Sequence, residues 1–110
     1  MEAFYHSVNL KSRADCLHIY VIGDVHYGAP NCDKDRLSRY VRAIKNDKAQ
    51  KVVFLLGDIC DLVVMRDQKR FTSANLDDET LTGSPRVIRK NLSNIAVTQM
   101  KRVAKMLEPI

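Results

Sequence analysis

Two short segments carry residue types able to do chemistry: Gly23-Asp24-Val25-His26 and Gly57-Asp58-Ile59-Cys60-Asp61. Asp24 and His26 are two positions apart, so extended backbone points both side chains to one side. A carboxylate and an imidazole on one face can grip a single cation. Asp58, arriving from a neighbouring strand, can share its two oxygens between that cation and a second one. Mixed carboxylate and imidazole ligands suit Mn, Fe or Zn better than Ca. Two such ions ~3.5–4 Å apart clamp the attacking and leaving oxygens of an in-line displacement at phosphorus. Gly23 and Gly57 are expected to allow a sharp exit from each strand and close backbone packing around the site.

The elements that must position these residues are legible as an alternation of apolar runs and helical patterns. Leu17 to Ile22 and Lys51 to Leu56 are short, nearly continuous apolar runs, each stopped by Gly-Asp. Such runs suit parallel strands covered on both faces. Open α/β sheets place their ligand crevices at the carboxyl ends of such strands. Between them Asp33 is placed to cap a helix to about Asn46, whose Leu37, Tyr40, Val41 and Ile44 form one apolar stripe. Strand, helix, strand makes a right-handed βαβ unit.

Further elements flank that unit. Alternation in Ala3 to Leu10 predicts an additional strand, and Asp61 to Phe71 a short helix. Thr72 to Gly83, with its acidic cluster Asp77-Asp78-Glu79, reads as a polar surface loop. Ser84-Pro85 opens a single long amphipathic helix to about Leu107, with Ile88, Leu92, Ile95, Met100, Val103 and Leu107 on its apolar side. The expected fold class is α/β with a βαβ core, in one domain spanning residues 1–110. No strand remains for the last helix to deliver, so the domain reads as incomplete.

Composition bounds the function. The 110 residues are 45% hydrophobic and 28% charged, which excludes disordered and collagen-like classes. Eighteen basic against 13 acidic side chains give a net charge of +5, a mild preference for anionic partners. No apolar run approaches the ~18 residues of a membrane span. The N-terminus lacks a secretory signal pattern. Cys16, Cys32 and Cys60 show no metal-type spacing and read as free thiols, small hydrophobic residues in a reducing, cytoplasmic compartment. His6 and His18 read as strand-face residues rather than ligands, and the basic face from Lys34 to Lys51 as solvated surface.

Asp24-x-His26 followed by Gly57-Asp58-x-x-Asp61 resembles the opening signature of the calcineurin-like metallophosphoesterases, and Gly28 sits where that family often has glycine. The resemblance implies an α/β/β/α sandwich, with Asp24 and His26 on one metal, Asp58 bridging two divalent ions, and Asp61 supporting the site from behind. It implies hydrolysis of a phosphoester by metal-activated water, with a nucleotide or nucleic acid among the possible substrates. The family continues with Gly-Asn-His-Asp or Gly-Asn-His-Glu and two further histidines. None occurs here; no histidine follows His26. The chain therefore reads as an N-terminal part of such an enzyme, inactive alone, completed by a missing C-terminal portion or a second copy. Two other classes compete with this reading: a non-catalytic partner-binding or oligomerising module, and a basic nucleic-acid-binding domain. The nucleic-acid reading lacks stacking aromatics among its basic residues.

Overall fold

A computed structural model describes residues 5–63, 69 and 71–110. The element order is β1 (Leu17–Ile22), α1 (Lys34–Asn46), β2 (Gln50–Leu55), a 3₁₀ turn (Ser73–Asn75), α2 (Asp78–Leu81), α3 (Pro85–Ser93) and α4 (Ile95–Leu107). β1 and β2 pair in parallel, with Leu17 opposite Gln50 and Ile22 opposite Leu55. The fold is thus mixed α and β around a two-stranded parallel sheet. No helix among the described residues is long and apolar enough to cross a membrane.

α1 forms as its sequence dictates. Asp33 caps it, accepting the Arg36 N–H at 2.8 Å, and Leu37, Val41 and Ile44 are buried beneath it. Tyr40 stays largely exposed at the edge of the stripe. These residues meet Ile22, Tyr27 and Val103 in the main core, with Tyr20 and Val53 packed at its margin. A second cluster joins Val63, Leu76 and Ile95.

Several expectations change. Among the described residues the strands are covered on one face only: Ile19, Val21 and Phe54 point away from α1 and are 61%, 48% and 49% exposed. Residues 5–10 are not a strand, and Ala3 and Phe4 of that expected strand lie outside the described residues. The helix expected over Asp61–Phe71 also falls largely outside them. Thr72–Gly83 is not a plain loop: Asp77 caps α2 by accepting the Thr80 N–H at 3.1 Å. The Asp77 carboxylate is buried and meets Lys34 Nζ at 2.7 Å, with Glu79 3.0 Å from the same ammonium. Lys34 is therefore half of an ion pair rather than a solvated charge, and Arg102 of α4 joins Glu79 at 3.5 Å.

The long C-terminal helix is broken at Asn94, whose backbone (φ −132°, ψ 42°) is not helical. Asparagine competes with the helix ladder through its own polar side chain, and the break frees α3 to pack on α2 while α4 packs on α1. The turn also rotates the buried stripe. Ile95, Gln99 and Val103 face inward, and Met100 is 55% exposed.

Candidate metal centre

The parallel ladder continues past the strands as a zipper between the two motif loops. Leu56 N–H donates to the Ile22 carbonyl, Asp24 N–H to Gly57, Val25 and His26 N–H to Asp58, and Tyr27 N–H to Ile59, over 2.8–3.2 Å. Asp61 N–H closes the run on the Tyr27 carbonyl at 3.0 Å. Paired backbone groups fix the register of both loops, and with it the positions of their side chains.

This register brings Asp24, His26 and Asp58 together. One donor atom from each lies within 4.8 Å of the others. Asp24 Oδ1 is 3.0 Å from His26 Nε2, and the other ring nitrogen of His26 faces Asp61 Oδ1 at 3.5 Å. The Asp24 side chain is 90% exposed, His26 is half-exposed, and Asp61 is largely buried at 12%. A buried carboxylate behind an imidazole is the arrangement that orients a histidine ligand and fixes its tautomer.

The local backbone differs from the extended form expected. Asp24, His26 and Asp58 all have positive φ, at 53°, 48° and 57°. Aspartate and histidine tolerate this region better than most residues, yet each still stores of order 1–3 kcal/mol of strain. Such outliers cluster where surrounding structure enforces them for function. Here the enforcing structure is the zipper, and its effect is to turn three polar side chains toward one point. Gly23 and Gly57 do not supply the sharp turns; the aspartates after them do, while the close packing expected of both holds at Gly23, where a Cβ would lie 3.0 Å from that of Leu56, and not at Gly57.

Gly28 does need to be glycine. Its φ is +105° and a Cβ would fall on the Gln99 amide. Gln99, fully buried on α4, also accepts the Leu62 N–H at 3.1 Å. One side chain thereby braces both loops. Tyr27 adds a second brace: it is buried, its hydroxyl donates to Glu79 at 3.3 Å, and Lys34 Nζ lies 5.0 Å above its ring. Sequence reading missed Gln99 and Tyr27 as site supports. Tyr27 stood next to a ligand, whereas Gln99 gave no apolar signal at all.

Two clefts flank the centre. One of about 540 Å³ is lined by Asp24, His26, Asp61 and Asn75 among others. The other, about 670 Å³, runs from Asp24 along α1 past Arg36 and Arg39. The two arginines place positive charge on a wall shared with Asp24. Asp58 lines neither cleft.

The donor set, two carboxylates and an imidazole turned to one point, fits a borderline divalent cation such as Mn, Fe or Zn. Cys60, although inside the second motif, is partly buried, and burial pushes its thiol up. Compared with protein-family models, with curated proteins and with solved structures, the chain gives no match.

Proposed function

We infer that the chain contributes a divalent-metal centre for chemistry at phosphate, of the kind found in the calcineurin-like metallophosphoesterases that its two motifs resemble. The observation carrying this reading is the convergence of Asp24, His26 and Asp58 donors within 4.8 Å at adjoining strand tips. Asp24 and His26 would hold one ion, and Asp58 would reach the same ion and a second. When bound, such ions neutralise phosphoryl charge and acidify water. Asp61 holds the His26 ring, and Arg36 and Arg39 draw an anionic phosphoester along the α1 cleft. Three donors leave most coordination positions of two ions unfilled, so this chain alone is expected to turn over little or no substrate.

The finer fold belongs to the same reading. The exposed Ile19, Val21 and Phe54 face is where the second sheet of an α/β/β/α sandwich would lie, supplied by further chain or by a second copy. Three free cysteines fit a reducing, cytoplasmic setting.

Equilibrium dialysis with radiolabelled inorganic phosphate tests the function. Phosphate retention should require Mn²⁺, disappear in Asp58→Asn, and weaken in Arg36→Ala/Arg39→Ala with Mn²⁺ binding intact. Phosphate binding that ignores Mn²⁺ or Asp58 would remove the reading.

A further inference from the structure

A second constellation sits at the opposite end of β1. Cys16 immediately precedes the strand, His18 is its second residue, and Asp47 ends α1. His18 Nδ1 lies 2.6 Å from Asp47 Oδ2, and His18 Nε2 lies 3.6 Å from Cys16 Sγ. The Tyr20 hydroxyl donates to the same Asp47 oxygen at 2.8 Å, and Ala49 N–H donates to the other at 3.0 Å. Nucleophile, base and orienting carboxylate in hydrogen-bonded sequence is the geometry by which proteins activate a thiol.

The carboxylate is held in the form this requires. The Ala49 N–H, followed by His18 and Tyr20, keeps the Asp47 carboxyl well below the usual carboxylate range. An anion only accepts, so Nδ1 of His18 donates to Asp47, and Nε2 is the ring nitrogen that faces the Cys16 thiol. The neighbouring Asp15 carboxylate is engaged with the Lys11 and Ser12 N–H groups at 2.6 and 3.1 Å. Cys16 is exposed, contrary to its expected role as a small buried residue, while Cys32 and Cys60 are partly covered. Burial pushes both of those thiols up.

We propose that Cys16 is a covalent modification site, a thiol activated by His18 and Asp47 that exchanges with small disulfides. The Cys16 S–H proton passes to His18 Nε2, and Sγ attacks one sulfur of the disulfide. A new S–S bond to Cys16 forms as the old one breaks, and the departing thiolate takes the proton from the imidazolium. Cys16 ends oxidised in a mixed disulfide, and the departing half is reduced to a thiol. The site shares no residue with the metal centre, so the two readings stand or fall separately.

The test incubates the full chain with bis(2-hydroxyethyl) disulfide, an uncharged probe, and follows each cysteine by peptide mass mapping. Cys16 should be modified first. His18→Gln and Asp47→Asn should each slow Cys16 by about threefold or more through loss of the oriented, hydrogen-bonded base, leaving Cys32 and Cys60 unchanged. A synthetic peptide of residues 11–19 contains Cys16 and His18 but not Asp47, and it should react more slowly than Cys16 of the intact chain. That comparison needs no folded variant. A Cys16 no faster than the peptide, full rate in both variants, or earlier modification of Cys32 or Cys60 would overturn the proposal.

Discussion

Replacing Gly28 by alanine tests how the two motif loops are held. At φ +105° an L side chain is strained, and the new Cβ would collide with the amide of Gln99, which has no accessible surface. The backbone term is of order 1–3 kcal/mol. Displacing Gln99 also removes its hydrogen bond from the Leu62 N–H, adding about 0.5–1.5 kcal/mol. We expect Gly28→Ala to lose about 1.5–4.5 kcal/mol in urea unfolding, a drop of at least about 6 °C in Tm. In a Gln99→Ala background the collision is absent, so the same substitution should cost only its backbone term. Gly57→Ala is the control: no atom lies within 4 Å of its Cβ position, and it should stay within about 0.5 kcal/mol of wild type. A neutral Gly28→Ala, or costs that simply add across the double mutant, would refute the bracing role assigned to Gln99.

The ion pair under α2 gives two further expectations. Lys34→Met keeps the apolar stem but leaves the Asp77 carboxylate, 3% exposed, without its cation, a loss of about 3–5 kcal/mol in urea unfolding; Asp77→Asn in the same chain should recover part of it. Acid should expose the same pairing. Burial raises the Asp77 carboxyl, but hydrogen bonds from Lys34 and Thr80 outweigh it and hold the group below its ordinary 3.8; Asp47 is lowered as well. A depressed carboxyl stabilises the fold above its unfolded value and loses that contribution as pH falls through the folded one. Unfolding free energy should therefore decline as pH drops below 3.8, and less steeply in Asp77→Asn.

How much of this was readable in the chain depends on the kind of signal. The βαβ unit was legible because apolar periodicity reports burial: the α1 stripe ends on Ile44, which has no exposed surface. The Gly-Asp punctuation located both motif loops, since they follow strands whose pairing sets their register. The backbone conformation of the loops was not legible. Positive φ at Asp24, His26 and Asp58 is imposed by hydrogen bonds between segments about 30 residues apart in sequence, which no local pattern encodes. Periodicity likewise placed Met100 inside α4 and passed over Gln99, because a buried amide whose oxygen accepts one distant N–H leaves no apolar trace. The acidic cluster at 77–79 read as surface for the same reason: its partner Lys34 lies 43 residues away. Coverage of both strand faces was inferred from an unbroken apolar run, but composition alone does not say what covers the second face.

The most direct test of the metal centre is a Mn²⁺ titration followed by the electron paramagnetic resonance signal of the free ion. Wild type should bind saturably, Asp24→Asn, His26→Gln and Asp58→Asn should each lose that binding, and Asp61→Asn should weaken it by about 10-fold or more through the orientation of His26. Equal binding by wild type and Asp58→Asn would contradict the assignment of these three side chains to one ion.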